Sequence, residues 1–272
     1  HKRMKFTFVT TAHWVFTTKY GLKYITDWGE KTIAVSEDIK EYLIKNYHLP
    51  AENIRVTING IDTDKFSPDT DTGAVRKEFG IEPEDRLIVY VSRMDVDRSL
   101  AAHMLINIVP KLDTIVDNIK VLVVGGGNDF ENIQKEADTV NVELGRKAVI
   151  TTGARTDINR LVAPAELFVG VSRAALEAMA AGKPTIIAGN EGSIGLFDED
   201  KAELAYSTNF CCRGCPGTSE ETLAQDIGGF FGMWDEDKDK LSKFSREFVK
   251  QRYSVKVMAD DAEAIYKEAE KK

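Results

Sequence analysis

Five short apolar runs along residues 86–190 constrain the fold of this chain more than any other feature. Each is rich in Val and Ile, and polar turns and helical segments separate them: RLIVYVSR (86–93), KVLVVGGG (120–127), AVITTG (148–153), ELFVGVSR (166–173) and KPTIIAGN (183–190). Apolar runs of this length predict strands covered on both faces, as in parallel sheets. The alternation of strands and helices therefore predicts an α/β fold with an open, doubly wound parallel sheet.

The remainder of the chain divides at two places. Residues 1–60 contain two predicted strands, KFTFVTTA and NIRVTING, with a predicted helix between them. The polar, turn-rich segment that follows, IDTDKFSPDTDTG, is interpreted as a linker. The final residues have a helical pattern. We therefore predict a first part over 1–60, a complete α/β domain over 61–250 and a terminal helical segment over 251–272.

Charge and hydropathy exclude several classes of protein. The net charge of −8, without a basic block, argues against nucleic acid as a partner. No apolar run approaches the ~20 residues that a membrane-spanning helix needs. The opening residues are interpreted as a strand rather than a signal peptide, because threonines and His13 interrupt the apolar stretch. A cytoplasmic protein is expected, and the absence of an initiator Met suggests a fragment.

Arginines recur where the predicted strands end. Ligands of open parallel sheets bind beyond the carboxyl ends of the strands. Arginines and helix N-termini together at one edge of an acidic protein favour an anionic ligand such as a phosphate ester. The alternative is that these arginines pair with neighbouring acids, as surface ion pairs commonly do. The arginines are Arg93, Arg98, Arg155 and Arg173, and the acids are Asp95, Asp97 and Asp157.

Several catalytic motifs are absent. The GGGND segment is not G-x-G-x-x-G, and the sequence has neither a P-loop nor H-E-x-x-H. No metal site and no cofactor are therefore predicted. The segment FCCRGC holds three cysteines, Cys211, Cys212 and Cys215. Reduced thiols are the leading interpretation, with a metal site or a redox role as alternatives, because a zinc site usually takes four ligands.

Glu177 is the only charged residue in the alanine-rich run from Ala174 to Ala181. A carboxylate in an apolar helix is costly unless something satisfies it. If Ser172 caps this helix, Glu177 lies near the ligand-binding edge, where it could accept hydrogen bonds from the two hydroxyls of a ribose. The alternative is an ion pair with Arg173, four residues earlier.

Four segments resemble the family-four retaining glycosyltransferases of the GT-B fold, which use nucleotide-sugar donors. The first is TIAVSEDIKEYLIKNYHLPAENIRVTINGIDTDKFSP (32–68), and the second is VSRMDVDRS (91–99), similar to G-R-x-x-x-x-K-G. The third, VLVVGGGND, resembles the glycine loop of the family and contains Gly126. The fourth is LEAMAAGKPTI, which is similar to L-E-A-M-A-x-G-x-P-V.

The resemblance implies roles for individual residues. Arg93 and Arg98 would bind the donor pyrophosphate, and Glu177 would bind the ribose. The backbone at Ala174, beside Arg173, would assist with the phosphates, and the base would lie near Ala154 and Arg155. His13 matches a histidine near the transferred sugar; the alternative is a histidine that is merely satisfied after a strand. The family is typically metal-independent.

The chain also departs from the family in two ways. The family carries a second glutamate eight positions before the ribose-binding one, where this chain has Val169. A GT-B enzyme has roughly a hundred further residues before the strand that KFTFVTTA resembles. Residues 1–60 would thus be the end of a partial second Rossmann-like domain on the acceptor side, completed by a missing region or a partner chain. Residues 251–272 would be the helix that crosses back to that domain.

The resulting expectation is a glycosyltransferase of hexosyltransferase type that moves a sugar from a UDP- or GDP-sugar donor with retention. The acceptor would be a saccharide or a lipid-linked molecule, and peripheral membrane association is compatible with this. A truncated chain could also be inactive. The alternatives are a non-catalytic nucleotide-sugar-binding fragment, or an epimerase or hydrolase on the same fold.

Overall fold

The computed structural model describes residues 6–13 and 16–270. Its chain divides into two compact units, one formed by residues 1–60 with 251–272 and the other by residues 61–250. Lys5, the first residue of the strand predicted in KFTFVTTA, lies outside the described residues. Within the described ranges, no helix is both long enough and apolar enough to cross a bilayer.

The first unit is built on a three-stranded parallel sheet in the order β1-β2-β3. Its strands are β1 (Val9–Ala12), β2 (Lys31–Ala34) and β3 (Ile54–Val56). Its early helices are α1 (Leu22–Ile25), α2 (Glu37–Tyr42), a π-helical turn (Leu43–Tyr47) and a 3₁₀ turn (Ala51–Asn53). The core includes buried Ile39, Leu43 and Ile54. In it the rings of Trp28 and Tyr47 pack in a T-shaped arrangement with centroids 5.0 Å apart.

A helix from the end of the chain, α12 (Val255–Glu270), completes this unit. Glu268 forms ion pairs with Arg55 at 2.9 Å and with buried Lys31 at 3.2 Å. Asp261 accepts a hydrogen bond from the Thr57 hydroxyl at 3.1 Å. These contacts attach α12 to β2 and to the segment around β3, so residues far apart in sequence close one small layer.

The second unit contains a six-stranded sheet in the order β6-β5-β4-β7-β8-β9. The strands are β4 (Arg86–Val91), β5 (Ile119–Val124), β6 (Val149–Thr151), β7 (Leu167–Gly170), β8 (Thr185–Gly189) and β9 (Gly192–Leu196). All neighbours pair in parallel except β9, which is antiparallel to β8. The doubly wound parallel sheet predicted from the five apolar runs is confirmed.

The described helices of this unit are α3 (Gly73–Phe79), α4 (Leu100–Asn107), α5 (Val109–Asp113), α6 (Phe130–Leu144), α7 (Ile158–Val162), α8 (Ser172–Ala180), α9 (Ala202–Ser207), α10 (Glu220–Phe231) and α11 (Asp235–Arg252). Among them, α4, α5, α6, α8 and α10 pack against strands of the sheet and cover its apolar residues. Every residue of β5, β7 and β8 is buried. This explains why those strands read as continuous apolar runs.

The order of the strands positions a crevice. The chain runs from β4 outward to β6, then returns to the other side of β4 as β7. The loops that leave β4 and β7 therefore diverge, and the gap between the carboxyl ends of these two strands is the place where such sheets bind ligands.

Candidate functional site

The loop that follows β4, residues 92–99, is called the arginine loop because it carries Arg93 and Arg98. Its backbone is folded against the end of β5. The N–H of Ser92 donates to the carbonyl of Val124 at 3.1 Å, and the N–H of Met94 donates to the carbonyl of Gly126 at 3.1 Å. The loop is therefore continuous with the glycine-rich turn after β5.

Both arginines of this loop expose their charge. The side chain of Arg93 is 68% exposed and pairs with Asp95, and that of Arg98 is 46% exposed and lies 3.8 Å from Asp97. The sequence analysis gave such ion pairs with neighbouring aspartates as the alternative to phosphate binding. Because both guanidinium groups are exposed to water, which screens ion pairs, a phosphate ligand could compete with the two aspartates for them, although the Asp95 side chain itself is only 17% exposed.

Glycines bring the loops after β4, β5 and β6 into close contact. A β-carbon on Gly127 would lie 2.2 Å from the carbonyl oxygen of Met94, and one on Gly126 would lie 3.2 Å from the Ala154 β-carbon. The N–H of Gly125 donates to the carbonyl of Gly153 at 3.0 Å. Gly126 and Ala154 thus form one surface beside the arginine loop.

Arg155 is engaged by two carboxylates. Its guanidinium donates to Asp157 at 2.9 and 2.8 Å and to Glu78 at 2.6 and 3.3 Å. Hydrogen bonds from Arg155, the largest effect, lower the pKa of the Asp157 carboxyl despite its partial burial. This arginine ties the turn after β6 to α3, and its contact with a base remains a prediction.

The start of α8 presents backbone donors on the other side of the crevice. Val171 is the N-cap of this helix, not Ser172, and no described side chain caps it. Ser172 has a φ of 54° and its N–H donates to the carbonyl of Phe210 at 2.7 Å. Among the described residues, the N–H groups of Arg173 and Ala174 donate to no backbone carbonyl outside α8. Uncapped N–H groups and the helix dipole favour an anion here.

Glu177 lies less than two turns inside α8 with a side chain only 13% exposed. Its Oε1 accepts a hydrogen bond from Nε of Arg173 at 2.8 Å, as the ion-pair alternative proposed. Burial raises the pKa of Glu177, and the opposing charges of Arg173 and Lys65 do not cancel that effect. No described side chain donates to Oε2, which leaves one carboxylate oxygen able to accept from a ligand hydroxyl.

His13 follows β1 in the first unit, and its side chain is exposed. The two residues after it, 14–15, lie outside the described residues. Its predicted role beside the transferred sugar remains a prediction.

A polar cluster that the sequence analysis did not predict lies next to the arginine loop, with Ser99 and Asp129 buried and its other members partly or fully exposed. We call it the Asp129 cluster, and it consists of Ser99, His103, Asp129, Asn132 and Glu136. The Asp129 carboxylate accepts from Ser99 Oγ at 2.5 Å and from Asn132 Nδ2 at 2.7 Å. His103 places Nε2 2.8 Å from Asp129 and Nδ1 2.6 Å from Glu136.

The charges of this cluster support one another. The hydrogen bond from Ser99, followed by those from His103 and Asn132, lowers the pKa of Asp129 to about 2. Burial alone would lower the pKa of His103, but its contacts with Asp129 and Glu136 outweigh burial and raise it. A sequence signal did exist, because Ser99 and His103, and likewise Asn132 and Glu136, are four residues apart and share a helix face.

The three cysteines form no disulfide among the described residues and lie on the loop that contacts α8. Burial, followed by the nearby Cys215 and Cys211, raises the pKa of Cys212 to about 12. Among the described residues, no group of three or more histidine, cysteine or acidic side chains is placed to hold a metal ion.

Two family profiles match the chain. Residues 85–209 match the family described as Glycosyl transferases group 1, and residues 1–65 match Glycosyltransferase Family 4. The arginine loop, the glycine turn and α8 all fall within the first match.

Curated relatives align with most of this chain. The GDP-mannose-dependent alpha-(1-6)-phosphatidylinositol monomannoside mannosyltransferase of Mycobacterium tuberculosis is 32% identical over 223 residues, covering 72% of this chain and 57% of the relative. The UDP-Gal:alpha-D-GlcNAc-diphosphoundecaprenol alpha-1,3-galactosyltransferase of Escherichia coli is 25% identical over 199 residues, covering 65% and 49%. The chain spans about half the length of the curated relatives it matches.

Solved structures share the fold. A glycosyltransferase from Rickettsia africae ESF-5 superposes with a TM-score of 0.73 at 21% identity, covering 96% of this chain and 70% of the other. Anabaena Alr3699/HepE in complex with UDP gives 0.67 at 18% identity, with 94% and 71% covered. WaaG, involved in lipopolysaccharide biosynthesis, gives 0.62 at 18% identity, with 86% and 62% covered. These neighbours have the GT-B fold with Rossmann-like domains.

Proposed function

We propose that this chain is a glycosyltransferase that moves a sugar from a UDP- or GDP-linked donor to an acceptor, with retention. Residues 85–209 and 1–65 match glycosyltransferase families, and a curated mannosyltransferase is 32% identical over 223 residues, which supports the proposal. The observation that supports this proposal is that two features suited to binding an anion follow the carboxyl ends of neighbouring strands. The arginine loop leaves β4, the uncapped start of α8 leaves β7, and the strand order makes these two strands neighbours.

The donor diphosphate would bind between these two features. Arg93 and Arg98 would exchange their aspartate partners for phosphate oxygens, and the N–H groups of Arg173 and Ala174 would donate from the other side. In transfer, negative charge grows on the leaving nucleoside diphosphate. Fixed cationic and N–H groups that face this charge stabilise the transition state more than the ground state.

Glu177 and the glycine turn would hold the nucleoside. The accessible Oε2 of Glu177 would accept from a ribose hydroxyl, while Arg173 keeps the other oxygen in place. The base would lie over the surface made by Gly126 and Ala154, bordered by Arg155. A nucleoside thus adds contacts that pyrophosphate alone lacks.

The two units would divide the work. Residues 61–250 would bind the donor, and residues 1–60, with 251–272 as the crossover helix, would belong to the acceptor side, with His13 near the transferred sugar. The curated relatives act on a phosphatidylinositol mannoside and on a diphosphoundecaprenol-linked sugar by name. A saccharide or lipid-linked acceptor, a hexose donor sugar and a cytoplasmic location with peripheral membrane association are proposed by analogy.

The reaction needs no cofactor in this proposal. Analysis of products from a labelled nucleotide sugar tests transfer directly. An epimerase would convert the donor without acceptor, and a binding fragment would return it unchanged.

Nucleotide affinity tests the site itself. Calorimetry with UDP and GDP should show that Arg93→Ala weakens binding by roughly 10- to 100-fold, since a charge-assisted hydrogen bond contributes about 1.5–3 kcal/mol. Arg146→Ala is the matched control, because Arg146 also pairs with an aspartate, Asp113, but contacts the start of β5 at Ile119. Equal affinities for the wild type and Arg93→Ala would count against the assignment.

A further inference from the structure

The Asp129 cluster has no part in the binding roles proposed above, yet it contacts both ends of the arginine loop. The backbone N–H of Asp129 donates to the carbonyl of Met94 at 2.8 Å. Its carboxylate accepts from Ser99 Oγ at 2.5 Å. Met94 follows Arg93 and Ser99 follows Arg98, so Asp129 is hydrogen-bonded to the residue after each of the two arginines.

Asn128 adds contacts in the middle of the loop. Its Oδ1 accepts from the N–H of Val96 at 3.1 Å, and its own N–H donates to Oδ1 of Asp95 at 3.3 Å. Hydrogen bonds to Asn128 and Asp129 therefore fix the loop backbone at several points, while the guanidinium groups of the loop are exposed. Of the residues that the structure describes, only the paired aspartates restrain those groups on the exposed side.

His103 keeps the central carboxylate charged and oriented. Both ring nitrogens lie within 2.8 Å of carboxylate oxygens, one from Asp129 and one from Glu136. A neutral imidazole has only one N–H, so this arrangement, with two acidic partners, favours the imidazolium form. An ionised Asp129 can accept from Ser99, His103 and Asn132 together, whereas a protonated one would lose acceptor capacity.

Resting on the proposed function, we propose that Asp129, through Ser99, is a positioning residue for nucleoside diphosphate binding. It fixes the arginine loop before the ligand arrives, so that Arg93 and Arg98 are presented to the diphosphate together. A loop that must be ordered on binding loses conformational freedom at that moment, and the affinity falls accordingly. Because hydrogen bonds to Asp129 already order the arginine loop without ligand, binding would avoid that loss.

Ser99→Ala tests this most directly, because it removes a single link to the loop and leaves the arginines in place. Without ligand, hydrogen exchange of the backbone amides at positions 98 and 99 should accelerate at least several-fold, since both N–H groups bond to Asp95 within this loop. The affinity for UDP or GDP, measured by calorimetry on the folded protein, should fall roughly 5- to 20-fold. Asp129→Asn should change both quantities in the same direction.

Ser242→Ala is the matched control. It also deletes a hydroxyl hydrogen bond in the second unit, to the carbonyl of Gly182 at 2.5 Å, but it lies away from the arginine loop. It should change neither loop exchange nor nucleotide affinity.

The possible results separate this inference from the proposed function. Unchanged loop exchange in Ser99→Ala, or faster exchange with unchanged nucleotide affinity, overturns the positioning role alone. Equal losses of affinity in Ser99→Ala and Ser242→Ala show a general structural effect and overturn it too. A wild-type protein that binds neither UDP nor GDP refutes the proposed function, and with it the positioning role.

Discussion

Among individual residues, Glu177 shows a conflict between burial and charge. Its carboxylate is largely removed from water and has one ion-pair partner among the described residues, Arg173, whose own side chain is more than half exposed. Burial raises its pKa despite that partner. A residue that lowers stability in the ionised state is the kind that persists at ligand sites.

We expect Glu177→Gln to stabilise the protein at pH 7. The pKa of Glu177 is raised in the folded state, so ionisation disfavours folding above that pKa and the effect vanishes below the ordinary value of 4.5. The melting temperature of the variant should therefore exceed that of the wild type at pH 7, and the difference should shrink by pH 4. A constant difference at both pH values would contradict a charge-based origin.

The same substitution should affect ligands unequally. Glu177→Gln should weaken UDP or GDP far more than inorganic pyrophosphate, because only the nucleotides carry the ribose that Oε2 would contact. Calorimetry with each ligand measures this. Equal losses for nucleotide and pyrophosphate would reject the ribose role.

The contribution of His103 to the stability of the protein should decrease as the pH rises. Its pKa is raised in the folded state, so its contribution is fully present below the unfolded value of 6.5 and is lost as pH rises through the folded pKa. His103→Gln should lower the melting temperature more at pH 5.5 than at pH 9. His48→Gln, in the first unit, is a control, and a pH-independent effect of His103→Gln would contradict this account.

Between elements, the contact of the turns after β4 and β5 depends on glycine. A β-carbon on Gly127 would meet backbone oxygen at 2.2 Å, whereas one on Gly217 would meet no described atom within 4 Å. Gly127→Ala should reduce the free energy of unfolding by about 1–3 kcal/mol through overpacking and weaken nucleotide binding by displacing the arginine loop. Gly217→Ala should do neither, as denaturant melts and calorimetry would show.

Sequence reasoning succeeded for elements with strong local patterns. The five apolar runs became β4 to β8 because each is buried on both faces. It missed β9, whose sequence GSIGL contains two glycines and is specified by antiparallel pairing with β8. It also placed helix starts less well: the α8 cap at Val171 depends on a contact with Phe210 from a later loop.

The candidate site was only partly predictable for a related reason. Arg93, Arg98 and Glu177 stand in local patterns at strand ends, so topology alone could predict their shared edge. The Asp129 cluster joins two helices about 30 residues apart, and its polar residues have the spacing of ordinary solvent-exposed faces. Only the packing of α4 on α6 distinguishes this cluster from an ordinary solvent-exposed helix face.

In the whole molecule, the two units should be separable. Residues 61–250 contain the full six-stranded sheet, the arginine loop and α8. Expressed alone, this segment should unfold in one transition, and a nucleotide at 100 times its Kd should stabilise it by ~2.7 kcal/mol, as in the full chain. Loss of nucleotide-induced stabilisation in the isolated segment would show that the first unit contributes to donor binding.

The closure of the first unit by α12 has a consequence for biosynthesis. About 200 residues separate the end of β3 at Val56 from the start of α12 at Val255. A ribosome adding ~5–20 residues per second needs roughly 10–40 s to cross that distance. During translation the three-stranded sheet therefore lacks α12 for this time, while the intervening unit can already fold. We expect the sheet face that α12 later covers to be a site where a chaperone binds the nascent chain.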